Sequence, residues 1–261
     1  MKGNGRVVAF FIVILLVVVL IVLNLTLFTI SDITVLNKVY SDLIIDNDII
    51  TSSNIQAGSN IFSLSERKAI SNIEIDNPYI KVTSIERKFP NKIIIHVTVR
   101  TAVMTIAVNG GDGYALLDSN LKILEIVNQY SNLYSASTKI VGITVDAPVI
   151  GNTLNTVNTY NAVLQIIGNI ADNENLDGVA FLTFFEKITF VPDITVNNVR
   201  IKINSGVTFA LTNNQYVEQQ LRYCLEKYKL TDELSLERKS GYYFFDGDIG
   251  WVWTANIADL D

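Results

Sequence analysis

Residues 7–23 read VVAFFIVILLVVVLIVL, a run in which every side chain is apolar. At about 1.5 Å per residue this run forms roughly 26 Å of helix, and the mostly apolar residues as far as Ile30 carry it past the roughly 30 Å hydrocarbon core of a bilayer. The segment that begins at Val7 and ends at Ile30 therefore predicts one membrane-spanning helix. A cleaved signal peptide is the alternative, but its apolar region is usually about 7–15 residues long and ends at a small-residue cleavage site. No such site follows Leu23, so the sequence favours an uncleaved anchor.

The charges on either side of this segment predict its orientation. Lys2 and Arg6 precede it, whereas its far side opens with Asp32. Basic residues favour the cytoplasmic side, which makes residues 1–6 a cytoplasmic tail and residues 31–261 extracytoplasmic. Without Lys2 and Arg6, 18 basic residues remain against 26 acidic ones. This balance argues against nucleic acid, or an anionic lipid surface, as the partner. The predicted location is the cell (inner or plasma) membrane, crossed once.

Residues 31–101 alternate quickly between short strands and short helices. The patterns predict, in order, a strand at 33–35, a helix that begins at 46 and ends at 58, a second helix up to 76, and a hairpin of strands 80–87 and 92–99. Ser63 and Glu66 have the spacing of a capping box at the start of the second helix. In the last strand alternate residues are apolar, which indicates that one face is buried. This order predicts a small α+β domain with its helices on one side of the sheet.

Three strings in this region resemble a known family. They are GSNIFSL at 58–64, NPYIKV at 77–82 and RKFPNKIIIHV at 87–97. They are similar to the POTRA domain of the bacterial cell-division proteins FtsQ and DivIB, which also begin with a short cytoplasmic tail and one span. The sequence VRTAV at 99–103 departs from the family pattern because it lacks the usual Glu and Pro. The resemblance implies a POTRA domain over residues 31–101.

Residues 102–261 are predicted to form a larger β-rich domain with two helices. Strands are expected at 103–108, 114–117, 121–127, 139–145, 179–185, 188–191, 199–203 and 207–211, and in a strand-turn-strand region at 234–245. Two helices, at about 155–170 and 214–229, carry apolar stripes with helical spacing. The strings YALLDSNLKIL at 114–124 and PVIG at 148–151 resemble the β-domain that follows POTRA in the same family. The whole chain is therefore predicted to be α+β: an N-terminal transmembrane helix, a β-α-α-β-β POTRA domain and this β-domain.

The C-terminal region concentrates aromatic side chains. Four of them follow one another: Tyr242, Tyr243, Phe244 and Phe245. Because neighbouring side chains of a strand point to opposite faces, two of these must point away from the buried face. Two more, Trp251 and Trp253, share one face if the chain there is extended. The resemblance implies that the final strands bind the partner proteins, so these six residues are the candidate partner-binding set. One interpretation is a sheet edge that accepts a strand from a partner; the other is ordinary core packing with amphipathic tyrosines outside.

Three isolated residues each have a structural and a functional interpretation. Asn24, near the outer end of the apolar segment, either contacts another membrane helix or sits at the membrane surface, and we favour the surface. Cys224 lies on an apolar helix stripe without cationic neighbours, which indicates a core residue rather than a reactive thiol. It is the single cysteine of the chain, so no intrachain disulfide can form. His96 lies on the polar face of a strand and is interpreted as a solvated residue.

The sequence lacks the residue sets of common catalytic and cofactor sites. With one histidine, histidine-based metal clusters and Ser-His-Asp or Cys-His arrangements are excluded by counting. No phosphate-binding glycine motif is present, and the glycines at 110–113 belong to a predicted hairpin turn. Asp246 and Asp248 resemble the start of a calcium loop, but the glycine is misplaced and the liganding glutamate is missing. We therefore expect no catalytic residue, no cofactor, no metal and no small-molecule substrate.

Two classes of function remain. The resemblance implies a non-catalytic membrane scaffold of the divisome, placed at the division septum. Such a scaffold binds other single-span proteins resembling FtsL and FtsB/DivIC and helps control septal peptidoglycan synthesis. The alternative is a membrane-anchored cell-wall hydrolase or peptidoglycan-binding protein that uses carboxylates of the β-rich domain. No pair of carboxylates stands out in the sequence, so the scaffold is the favoured hypothesis.

Overall fold

The computed structural model describes residues 4–37, 45–111, 113–128, 137–155, 159–176, 178–246 and 250–260. Two residues considered above lie outside these ranges: Lys2, which helped to predict the orientation of the span, and Asp248, which was considered as a calcium ligand. The contacts divide the chain into two compact units, Met1–Val99 and Arg100–Asp261. The fold class predicted from the sequence is confirmed, because the chain is α+β with an N-terminal apolar helix and a larger β-rich part.

Helix α1, Asn4–Leu27, contains the apolar run. Its window Val7–Asn24 has a mean hydropathy of 3.4, and none of that window is buried by the rest of the protein. Within the described part of the chain, α1 is the one helix long and apolar enough to cross a membrane. A helix that is apolar on every face and uncovered by protein suits a lipid environment. This finding fits the predicted single span.

The first unit continues from α1 into a three-stranded sheet with two helices. Its elements are β1 (Asp32–Asn37), α2 (Asp46–Ser52), a 3₁₀ helix (Ile61–Ser63), α3 (Glu66–Asp76), β2 (Ile80–Lys88) and β3 (Lys92–Val99). The strand order is β1-β3-β2, with β1 parallel and β2 antiparallel to β3. Alternate residues of β3, namely Ile93, Ile95 and Val97, are fully buried with Ile73 of α3. The predicted β-α-α-β-β order is confirmed.

The predicted capping box in this unit is wrong. Ser63 lies in the 3₁₀ helix, and its hydroxyl donates to the carbonyl oxygen of Asn60 at 2.6 Å. The helix α3 starts later, after Ser65, whose side chain makes no capping hydrogen bond. The Glu66 carboxylate instead pairs with the guanidinium of Arg87. Ser63 and Glu66 have the spacing of a capping box. The Glu66 carboxylate nevertheless binds Arg87 of β2 and does not cap α3.

The second unit is built on one nine-stranded sheet. Its strands are β4 (Met104–Val108), β5 (Tyr114–Leu117), β6 (Ile123–Val127), β7 (Thr138–Val145), β8 (Phe185–Phe190), β9 (Val199–Ile203), β10 (Val207–Leu211), β11 (Gly241–Asp246) and β12 (Gly250–Thr254). They lie in the order β12-β11-β10-β9-β8-β7-β4-β5-β6. The described residues of this unit also form the helices α4 (Thr159–Asn173), α5 (Val179–Phe184) and α6 (Val217–Leu230). Helix α6 contacts α4 as well as β10 and β11. The main core lies between these helices and the sheet.

Two predicted strands of this unit are wrong in part. Residues 179–184 form helix α5, and the strand begins only at Phe185. A short apolar run fits either a strand or a buried helix, and its periodicity alone cannot decide. Residues 236–238 form a 3₁₀ helix rather than a strand, and both Leu234 and Leu236 are exposed. The real strand starts at Gly241 and reaches β10 in parallel orientation through the crossover helix α6.

Candidate partner-binding edge

The last two strands form one end of the nine-stranded sheet. β11 pairs with β10 in parallel, and β12 pairs with β11 in antiparallel orientation. In the part of the chain that the structure describes, no strand lies on the outer side of β12. An edge strand carries backbone N–H and C=O groups that can bond a further strand. This end of the sheet can therefore accept an extended segment of another protein.

The other end of the sheet is partly covered by the chain itself. There, β6 is preceded by Lys122, which bridges to Thr153. The amide of Ile123 donates to the carbonyl of Asn152 at 2.8 Å, and the amide of Gly151 donates to the carbonyl of Ile123 at 2.8 Å. These bonds occupy the outer side of β6 where it begins. Within the described residues, no comparable strand or bridge covers the outer side of β12.

Tyr243 belongs to the main core. Its side chain is 1% exposed and packs edge-on against Phe209, with ring centroids 6.2 Å apart. Its hydroxyl lies 3.1 Å from the Oγ1 atom of Thr231, a hydrogen bond that satisfies the buried phenol. Burial raises the pKa of Tyr243. A partner cannot reach this ring while the unit is folded. Tyr243 therefore stabilises β11 by packing in the core and does not contact a partner directly.

Phe244 points to the opposite face of the sheet. It is 8% exposed and packs against Ala210, with Tyr242 and Val252 beside it. This small second cluster closes the face that α6 does not cover. Tyr242 is half-buried there. The alternation expected for four successive aromatics is present, but both faces of β11 are covered over most of its length.

Phe245 is the exposed member of the aromatic set, and the half-buried Trp251 lies beside it. Phe245 is 48% exposed, and its ring centroid lies 5.1 Å from that of Trp251. Trp251 in turn lies 5.8 Å from Tyr223, an exposed residue of α6. Together with Tyr216 these rings line a groove of about 330 Å³ between α6 and β12. We call this groove, beside the open edge, the aromatic groove.

A polar clamp holds the floor of the aromatic groove. The Oε1 atom of Gln220 accepts a hydrogen bond from the amide of Thr212 at 2.8 Å, and its Nε2 atom donates to the carbonyl of Thr212 at 3.2 Å. The same Nε2 atom lies 3.1 Å from Oδ1 of Asn214. Gln220 thereby fixes the loop after β10 to α6. A groove held in this way is formed before any ligand arrives, which lowers the entropy cost of binding.

Trp253 has a supporting role. Its indole Nε1–H donates to the carbonyl of Ser240 at 3.0 Å. Gly241, which follows, has φ +89°, and a Cβ there would lie 2.5 Å from the carbonyl oxygen of Thr254 and 2.6 Å from Nε1 of Trp253. Glycine is therefore needed where β12 returns over the start of β11. The half-buried Trp253 thus holds β12 against the start of β11 through its hydrogen bond to Ser240.

The sequence predicted part of this site and missed the rest. Of the six candidates, the structure exposes Phe245 and brings the half-buried Trp251 beside it in the aromatic groove. The other four are buried or half-buried and do not line this groove. It adds Tyr216, Tyr223 and Gln220, which sequence reasoning did not single out. The available signal was that Tyr223 lies off the apolar stripe of the predicted helix. The binding role of all these residues stays a prediction.

Other candidate chemistry in the described residues is sparse. No group of three or more His, Cys, Asp and Glu side chains comes together there in a way that could hold a metal ion. His96 faces Glu86, with 3.3 Å between Nε2 and Oε2, on a partly exposed strand surface. Cys224 is fully buried, and this burial raises the pKa of its thiol. A protonated, enclosed thiol is a core residue.

Comparisons with known proteins match this architecture. Residues 28–100 match the family model of the FtsQ-type POTRA domain. The cell division protein DivIB of Clostridium acetobutylicum is 37% identical over 120 residues, which are 46% of this chain and 46% of that protein. DivIB of Clostridium botulinum is 30% identical over 128 residues, 49% of this chain and 48% of that protein. DivIB of Clostridium tetani is 38% identical over 85 residues, 33% of this chain and 31% of that protein.

These matches confirm the predicted resemblance to FtsQ and DivIB. The chain spans about half the length of the curated relatives that it matches. The matched POTRA region begins at Phe28, directly after α1.

Proposed function

We propose that this chain, which carries an FtsQ-type POTRA domain and resembles the cell division protein DivIB, is a non-catalytic membrane scaffold of the bacterial divisome. The similarity to division proteins supports a role in cell division. The observation that carries the scaffold proposal is the open edge of β12 beside the aromatic groove. Such an edge offers backbone hydrogen bonds for affinity and a groove for specificity. Both are features of a protein that binds another chain.

The proposed topology follows from α1. The helix crosses the membrane once with residues 1–6 in the cytoplasm, and its apolar part from Val7 to Leu27 is the span. Ile30, which the sequence pattern placed in the span, is instead 2% exposed in the core of the first unit. The POTRA domain, 31–101, and the β-domain, 102–261, then lie on the outer side. A single span confines the protein to the membrane plane, which raises its effective concentration toward other membrane-anchored proteins.

The proposed partner adds a strand to β12. Its backbone pairs with the outer side of β12, while an apolar or aromatic side chain enters the aromatic groove against Phe245, Trp251 and Tyr223. Partners of this kind are other single-span division proteins resembling FtsL and FtsB/DivIC, and through them the scaffold helps control septal peptidoglycan synthesis. An aromatic contact in a pre-formed groove is the type of anchor that dominates binding energy at interfaces.

The proposed division role predicts a phenotype. A fluorescent fusion of the full chain should concentrate at the septum of dividing cells, and depletion of the protein should give elongated cells with few septa. The measurement is microscopy of cells during depletion, with re-expression of the unchanged chain as the control. Uniform fluorescence around the membrane together with normal septa during depletion would rule the role out.

A further inference from the structure

Three phenylalanine rings form a cluster at the surface of the first unit, in which Phe28 is half-buried and the other two rings are exposed. The ring centroids are 5.2 Å apart for Phe28 and Phe62, 5.4 Å for Phe62 and Phe89, and 6.2 Å for Phe28 and Phe89. Phe62 and Phe89 each keep 55% of their surface exposed. Rings that touch each other while facing outward form a continuous apolar patch, which in a folded protein marks a contact surface. We call these three residues the phenylalanine cluster.

Hydrogen bonds fix this cluster to the end of α1. The amide of Ile61 donates to the carbonyl of Phe28 at 2.8 Å. The side-chain Nδ2 of Asn60 donates to the carbonyl oxygen of Asn24 at 3.1 Å and to its Oδ1 atom at 2.8 Å. The side chain of Asn24, near the outer end of the apolar helix, is thus used within the chain. Phe28 and Phe62 are held beside that end.

Phe89 is brought to the same place by a different segment. It lies in the turn between β2 and β3, and the carbonyl of Asn91 in that turn accepts a hydrogen bond from the amide of Ser31 at 2.9 Å. Ser31 follows α1 by only a few residues. Lys88, beside Phe89, is exposed. An aromatic ring next to a cation suits the boundary between lipid chains and headgroup phosphates.

The length of α1 sets the depth of the cluster in a membrane. At about 1.5 Å per residue, its 24 residues span roughly 36 Å. The hydrocarbon core is roughly 30 Å thick. Because the apolar window ends at Asn24, Phe28 falls at the outer boundary of this core. Phe62 and Phe89, in contact with Phe28, fall at the same level.

We propose that the phenylalanine cluster inserts into the outer interface of the lipid bilayer and holds the first unit against the membrane. This inference rests on the proposed membrane span of α1. The occupant is lipid: the patch continues directly from the helix that lipid surrounds, and its rings lie at the depth where aromatic side chains are most favourable. The unit is then restrained at the surface rather than swinging freely on its helix.

Spin labelling tests this inference in the full chain. One cysteine introduced in place of Phe62 or Phe89 would carry a nitroxide label in vesicles of phosphatidylcholine and phosphatidylglycerol, with no other protein present. Cys224 is fully buried, so the unsubstituted chain serves as the blank. The readout is the ratio of label collisions with O₂, which enters lipid, to collisions with a water-soluble nickel chelate. Labels at 62 and 89 should favour O₂, whereas a label at the exposed Ile75 of α3 should favour the chelate.

A label at Val17, in the middle of α1, tests the membrane span separately from the insertion of the phenylalanine cluster. If Val17 lies in lipid while 62 and 89 are as accessible to the chelate as 75, the span stands and the insertion is overturned. If Val17 is also accessible to the chelate, the span itself fails. Burial of one phenylalanine ring changes an equilibrium constant by roughly tenfold or more. Phe62→Ser should therefore lower the collision ratio at position 89 several-fold; an unchanged ratio there would also overturn the insertion.

Discussion

Replacing Asp118 with alanine is expected to lower the free energy of unfolding of the second unit by about 3–5 kcal/mol. The Asp118 carboxylate is buried beside Arg100, with 2.5 Å between Oδ2 and Nη1 and side-chain exposures of 5% and 7%. Its other oxygen, Oδ1, accepts from the amides of Asn120 at 2.9 Å and Lys122 at 2.8 Å. The substitution removes the carboxylate that pairs with the buried Arg100 guanidinium. It also removes the oxygen that accepts hydrogen bonds from the amides of Asn120 and Lys122. Each loss is expensive because these groups are buried.

Urea unfolding of the detergent-solubilised chain measures this effect. Both tryptophans of the chain, Trp251 and Trp253, belong to the second unit, so their fluorescence reports on that unit. The control is Glu218→Ala, which removes an exposed ion pair with Arg222 on α6 and should cost no more than about 0.5 kcal/mol. A midpoint for Asp118→Ala equal to that of the control would show that the buried pair does not support the fold.

Gly142→Ala is expected to destabilise the same unit by about 2–5 kcal/mol, the sum of a left-handed backbone cost and a steric clash. Gly142 has φ +87°, and a Cβ there would lie 1.8 Å from the carbonyl oxygen of Phe190. The position falls where the pairing of β7 with β4 shifts register, between Ile140 and Thr144. This bulge lets the chain of β7 approach β8 more closely than any side chain permits. A backbone oxygen cannot move aside as a flexible side chain can.

Gly110→Ala is the matched control for this substitution. Gly110 also has a positive φ, +69°, but a Cβ there meets nothing within 4 Å. The substitution Gly110→Ala should lower the free energy of unfolding only by the cost of the left-handed backbone conformation, about 1–2 kcal/mol. The same fluorescence-detected urea titration compares the two variants. Equal losses of stability would contradict this, because they would mean that the backbone of Phe190 moves aside without cost.

Local sequence patterns predicted the elements whose periodicity is long and one-sided. The alternation in β3 and the helical stripe of α6, with Val217, Leu221 and Tyr228 buried, are examples. The pattern misled where an apolar run was short, as at 179–184. A run of this length satisfies both a strand and a buried helix, and the choice depends on what the rest of the sheet leaves to be covered. The packing of the rest of the unit, and not the local pattern, therefore determines that residues 179–184 form a helix.

The candidate site shows the same division between local and long-range information. Four successive aromatics predicted a strand near the C-terminus, and β11 is that strand. Which of its rings stay accessible depends on α6 and β12, which come from other parts of the chain. Tyr243 is covered because Thr231 and Phe209 lie beneath it. The position of β12 at the sheet end follows from the strand order, which no local pattern encodes.

Photo-crosslinking from position 245 tests the scaffold proposal most directly. A photoreactive phenylalanine analogue would replace Phe245 at the aromatic groove in dividing cells, and the same analogue at Val149, another exposed position of the second unit, is the control. We expect irradiation to join position 245, and not position 149, to another single-span division protein. The contradicting result is the absence of such an adduct at 245, or an equal adduct at both positions, in cells that contain the folded chain.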